Sequence, residues 1–170
     1  RLWGDADAVL AIGTRLNWPL TMWGKDDDLK IVRVDIDPTQ LRRICDPEVG
    51  IVGDSATVLK AISASLTKQS HQANSREDEL ITLKHQVNKE IREKVGPQMA
   101  YLDVIREELP DDGIFVDEVT QVGFVSWYGF PVYKPRQHIS AGYQGTLGYG
   151  YATALGVMAG NMDKRVIQVS

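Results

Sequence analysis

The chain has 170 residues, with 19 basic and 23 acidic side chains, a net charge of −4 and 43% hydrophobic residues. That is the composition of an ordinary globular chain, and it excludes the basic footprint of a nucleic-acid-binding surface. No apolar run reaches the length of a membrane span, and the single cysteine, Cys45, excludes an internal disulfide framework and fits a reducing, cytoplasmic compartment.

In chain order, ADAVLAIG (6–13) and LKIVRVDID (29–37) are short apolar runs that read as buried strands, and IVGD (51–54) as a third. Asp54 and Ser55 offer N-caps for an amphipathic helix carrying Val58, Leu59, Ile62 and Leu66. The polar run KQSHQANSRED (68–78) has no aliphatic anchor and reads as a linker. Leu80, Leu83, Val87, Ile91 and Val95 then share a helical face that Gly96-Pro97 should stop, and a second helical stretch carries Met99, Leu102, Ile105 and Leu109. Strands follow at GIFVDE (113–118), QHISA (137–141) and KRVIQVS (164–170), with a Gly-rich turn and a small-residue helix before the last. Alternation of strands and helices predicts an α/β fold: Rossmann-like, three-layer units with parallel sheets, as two partial domains joined by a linker helix. The expected boundaries are 1–67, 68–97 and 98–170. Both ends read as cut edges, so the chain is expected to be a fragment.

Ligands of parallel sheets bind beyond the carboxyl ends of the strands, which singles out three clusters. In IGTRLN and VDIDP, Gly13 and Thr14 make a tight turn, Arg15 has the chemistry for a phosphate or for a salt bridge, and Asp35 or Asp37 could accept from a ribose hydroxyl or simply start a turn. In DEVTQVG (117–123), Thr120 and Gln121 can donate to phosphate oxygens. Asp117 and Glu118 invite an acid/base reading, but solvated carboxylates at a helix N-terminus are preferred. In AGYQGTLGYGYATALG (141–156), four glycines in nine residues let a ligand approach the main chain or let a helix pack closely. The three histidines, His71, His85 and His138, lack metal-ligand spacing.

The ordered set GDADAVLAIGTRL, VRVDIDPTQLRR and VGDSATVLKAI resembles the central domain of thiamine diphosphate-dependent enzymes of the acetolactate synthase and 2-oxoacid decarboxylase group. GIFVDEVTQVG, KPRQHISAGYQGTLGYGYATALG and KRVIQVS resemble the start of their diphosphate-binding domain. The resemblance implies that thiamine diphosphate binds bent over the Gly-rich loop. The Gly145 carbonyl would receive the aminopyrimidine, Leu147 would wedge the rings apart with Thr146 between them, and Thr120 and Gln121 would lie near the diphosphate. It also implies Mg2+, with ligands beyond Ser170, and an activating glutamate in a separate N-terminal domain. No catalytic or metal-binding residue is therefore expected in these 170, and the piece alone should be inactive. The whole protein is expected to be a homodimer or homotetramer acting on a 2-oxoacid, without nucleic-acid or membrane partners.

Two departures bear on the finer assignment. Acetolactate synthases commonly carry Gln-His where this chain has Gln121-Val122, and a methionine where it has Leu147. The central-domain match leaves FAD or ADP open at Gly13, Thr14, Arg15, Asp35 and Asp37. Other readings are a nucleotide-binding regulatory module and a structural piece whose small-residue helix packs against a partner.

Overall fold

The computed structural model describes residues 2–69 and 74–170. His71, and part of the polar run 68–78, lie outside them. The chain divides into two compact units, Arg1–Asn74 and Ser75–Ser170.

The first unit is a three-stranded parallel sheet in the order β1-β2-β3, with β1 at Ala8–Ile12, β2 at Lys30–Asp35 and β3 at Val49–Val52. Central β2 is the most buried strand, through Ile31, Arg33 and Val34. Edge strand β1 keeps Ala11 inside but leaves Leu10 48% exposed, so only part of the expected buried run is covered. The core gathers Ala11, Leu16, Leu29 and Ile31, with Trp3, Leu20 and Cys45 packed against it. Cys45 is thus a packing residue. Helix α1, Ser55–Lys68, starts where Asp54 accepts from the Thr57 amide at 2.9 Å, because a carboxylate satisfies one of the four orphan amides at a helix start.

The second unit opens with α2, Glu77–Glu108. It consists of two helical segments, as expected from the sequence, that meet at a kink. Val95 leaves helical geometry (φ −134°, ψ 40°) just before Gly96-Pro97. Proline restricts the residues before it and removes one amide donor, yet it is tolerated in the first turn of a new helical segment. Arg92 and Asp103 span the kink with two hydrogen bonds, at 2.6 and 2.8 Å.

A second parallel sheet has the order β5-β4-β6, with β4 at Ile114–Val116, β5 at His138–Ile139 and β6 at Val166–Gln168. The strands are shorter than the segments expected at 113–118, 137–141 and 164–170. Between them run α3, Gln121–Gly129, and α4, Tyr149–Gly160. Phe115 points to one face of β4, where Met99 and Leu102 of α2, Leu109 just after it, and Val125 and Phe130 around α3 bury it completely. Helix α4 packs against β4 and β6. Burying this many side chains at about 25 cal/mol per Å² makes this cluster the principal source of the unit's stability.

Candidate active site

At the carboxyl end of β4 the chain turns sharply through Asp117–Thr120 before α3 begins. Thr120 is the N-cap: its hydroxyl oxygen accepts from the Gly123 amide at 3.0 Å. Gln121 is exposed, and its side-chain oxygen accepts from Gln98 of α2 at 2.7 Å. The Thr120 hydroxyl proton and the Gln121 amide NH2 remain the donors that this turn can offer a ligand.

The expectation that Asp117 and Glu118 are solvated is overturned. Asp117 is 1% and Glu118 7% exposed. Burying a carboxylate requires partners, and both have them. Asp117 accepts from the Trp127 indole at 2.5 Å and lies 3.0 Å from His138 Nε2. Glu118 is at a helix N-terminus, as expected of both acids, but the helix is α4, some thirty residues on. Its two oxygens accept from the Tyr149 amide at 3.3 Å and the Gly150 amide at 2.5 Å. A buried carboxylate there is favoured by the positive end of the helix dipole. The Tyr149 phenol is pushed up from its ordinary value by burial and by the nearby Asp117 and Glu118 charges. His138 also lies 3.3 Å from the Ser126 hydroxyl, but through the same ring nitrogen that meets Asp117. The three cannot form a relay, which needs both ring nitrogens. His85 is an exposed residue of α2.

Glu118 thereby straps the end of β4 to the start of α4, and the Gly-rich loop is the segment that leads into that strapped helix. Gly142, Gly145 and Gly148 all have positive φ, at 59°, 56° and 77°. Such conformations cost an L side chain and cost glycine nothing. A Cβ at Gly145 or Gly148 would meet nothing within 4 Å, so space is open beside the backbone there. Gly150 is glycine for the opposite reason. A Cβ would lie 2.6 Å from Glu118 Oε2 and 2.7 Å from Gln168 Nε2. Leu147, between the open glycines, is 75% exposed.

Two observations bear on what this region could bind. A bulky apolar side chain stands out of a loop whose flanking backbone is open to close approach. Beside Gly150, the Gln168 side-chain nitrogen is buried without a hydrogen-bond partner. Buried donors are normally paired. Gln168 escaped the sequence reading, because nothing marks a glutamine at a strand end as buried. Among the described residues no group of three or more His, Cys, Asp or Glu side chains could hold a metal ion, and no helix is long and apolar enough to cross a membrane.

Comparison with known proteins finds two matching family models. Residues 1–62 match the family model of the thiamine pyrophosphate enzyme central domain, and residues 118–170 that of the C-terminal thiamine pyrophosphate-binding domain. The chain belongs to the thiamine pyrophosphate enzymes. It is 31% identical over 173 residues to the acetolactate synthase large subunit of Corynebacterium glutamicum, covering 95% of this chain and 27% of that protein. It is 27% identical over 158 residues to a probable 2-ketoarginine decarboxylase of Pseudomonas aeruginosa, covering 92% and 28%. It is also 28% identical over 197 residues to a sulfoacetaldehyde acetyltransferase of Roseovarius nubinhibens, covering 97% and 32%. The chain thus spans about three tenths of the length of these curated relatives.

In the central-domain unit, Gly13 follows β1 with φ 56° and donates its amide to Val34 at 2.8 Å. Asp35 accepts from the Asp37 amide at 3.0 Å, and Asp37 caps the next turn by accepting from Thr39. Those bonds hold the Asp37 carboxyl below its ordinary value. Gly13, Asp35, Gly53 and Asp54 line a pocket of about 360 Å³ at the carboxyl ends of all three strands. Thr14 and Arg15 are exposed, and their carbonyls are held by a residue not anticipated from sequence. Arg33, 1% exposed, donates to Thr14 and Arg15 from one nitrogen, and to Leu41 and Arg43 from the other. A buried cation in a strand thus fixes the loops after β1 and β2.

Proposed function

We propose that this chain is part of a thiamine diphosphate-dependent lyase or carboligase acting on a 2-oxoacid. The observation that carries the reading is Leu147, exposed between two left-handed glycines with open space beside them. Leu147 would separate the two rings of the cofactor, the Gly145 carbonyl would accept from its aminopyrimidine, and Thr146 would complete the contact strand. Thr120 and Gln121 would donate toward its diphosphate. When bound, the cofactor supplies an electron sink for a carbanion next to the scissile carboxylate.

The chain's own residues have positioning work. Glu118 holds the helix that follows the loop, and Leu147 would exclude water from one side of the rings of a bound cofactor. Mg2+ ligands and the activating glutamate belong, in this reading, to parts of the protein outside these 170 residues. Exposed Phe124, Trp127 and Tyr128 of α3, and Tyr151, Leu155 and Met158 of α4, support an assembly of two or four copies that covers them. A cytoplasmic location suits the unpaired Cys45.

The test is Leu147→Ala in the complete enzyme. We expect kcat/KM for a 2-oxoacid to fall by about a hundredfold through cofactor misplacement, with the melting temperature in the absence of cofactor unchanged. Unaltered activity and cofactor affinity would refute the assignment.

A second reading concerns the central-domain unit alone. The pocket of about 360 Å³ at Gly13 and Asp35 supports binding of a nucleotide such as FAD or ADP there. Asp35 and Asp37 would face the ribose hydroxyls, and Arg15 a phosphate.

A further inference from the structure

A second pocket, of about 560 Å³, opens at the far end of α4, where the chain enters β4 and β5 rather than where it leaves them. It is distinct from the Gly-rich loop, since a helix of twelve residues separates the two by about 18 Å. Ile114, Ile139 and Val157 give it an apolar lining. Its polar rim carries Lys134, Arg136 and Lys164, opposed by one carboxylate, Asp112.

None of these three cations forms an ion pair with any described residue. The carboxyl end of α4 contributes roughly half a negative charge, and Asn161 already occupies the Val157 carbonyl there at 2.9 Å. Even with Asp112 ionised, the pocket retains a net positive charge of about 1.5 by that count. Gathering like charges without counterions is unfavourable, and an anion removes the penalty.

The segment Lys134–Gln137 is also pre-shaped. Arg136 has φ 65° although it is not glycine, a conformation retained only where its surroundings impose it. Pro135 fixes one neighbouring dihedral. Gln137, 5% exposed, fixes the rest: its side-chain oxygen accepts from the Lys134 amide at 2.9 Å, and its nitrogen donates to the Asp111 carbonyl. Nothing in the cofactor reading uses these residues.

We propose that this pocket binds a small organic anion. Its phosphate or carboxylate would meet Arg136, Lys134 and Lys164, and its apolar body would lie on Ile114, Ile139 and Val157. A guanidinium offers planar paired donors suited to either head group.

The experiment is calorimetric titration of the intact protein with phenyl phosphate, benzoate and benzyl alcohol, which share a ring and differ in head group. The key variant is Arg136→Gly, which removes the guanidinium and relieves the positive φ, so that folding is not impaired. Lys164→Met is the second. We expect at least one of the two anions to bind, weaker binding at higher salt, and about a tenfold loss of affinity in each variant. Preference between phenyl phosphate and benzoate identifies the head group. Absence of binding by both anions, equal binding of benzyl alcohol, or unchanged affinity in Arg136→Gly would overturn the proposal.

Discussion

Gly150 and Gly145 are the same residue type a few positions apart, yet they serve opposite needs. At Gly145 the backbone is left-handed and the space beside it is open; at Gly150 the backbone is helical and the space is filled by Glu118 and Gln168. Gly150→Ala should therefore destabilise the fold despite the better helix propensity of alanine, by about 1–3 kcal/mol from overpacking. Chemical denaturation of the two proteins checks this, and a variant at least as stable as the parent would show that Glu118 can move aside. The run of glycines was legible in the sequence, but the division of labour within it was not. It depends on a carboxylate thirty-two residues earlier, a separation over which no local pattern carries information. Asp117 was misjudged for the same reason: its partners Trp127 and His138 lie ten and twenty-one positions away.

Elements with local causes could be read from the sequence. Helix α1 begins where an aspartate precedes a helical pattern, and the bend in α2 falls at the residue before Gly96-Pro97. What the sequence did not reveal is the contact across the bend, where Arg92 and Asp103 meet from either side of it. The Arg92 hydrogen bonds hold the Asp103 carboxyl below its ordinary range. A depressed carboxylate stabilises the folded state above its unfolded pKa, about 3.9, and that contribution disappears as the pH falls through the lower folded value. Replacing Arg92 by Ala should move the Asp103 titration up toward 3.9. Carbon-detected NMR of the carboxyl reads this directly, and an unmoved midpoint would mean that the pair does not persist in solution. Both side chains are about half exposed, so the effect on overall stability should be small.

Over the whole molecule the main contrast is between two cores that share no residue, one around Ile31 and the other around Phe115. Cooperative unfolding requires that elements lose their burial together. Scanning calorimetry should accordingly give a van't Hoff enthalpy below the calorimetric one, as two overlapping transitions; a ratio of unity would show that the cores are coupled. Fold class and the parallel character of both sheets were predictable from alternation alone. Strand lengths were not, since β5 retains two residues of the five-residue strand expected at 137–141.

The strap from Glu118 to α4 bears also on the order in which the second unit folds. Gly148 brings no side chain to the first amides of α4, and no other residue of that segment caps them. Their partner arrives only when β4 is in place. An uncapped helix of twelve residues is marginal by itself. Helix α4 should then consolidate late, on a nucleus of α2, β4 and α3, whose contacts around Phe115 come from nearer neighbours in the chain. The loop that carries Leu147 would be the last part of the unit to take shape.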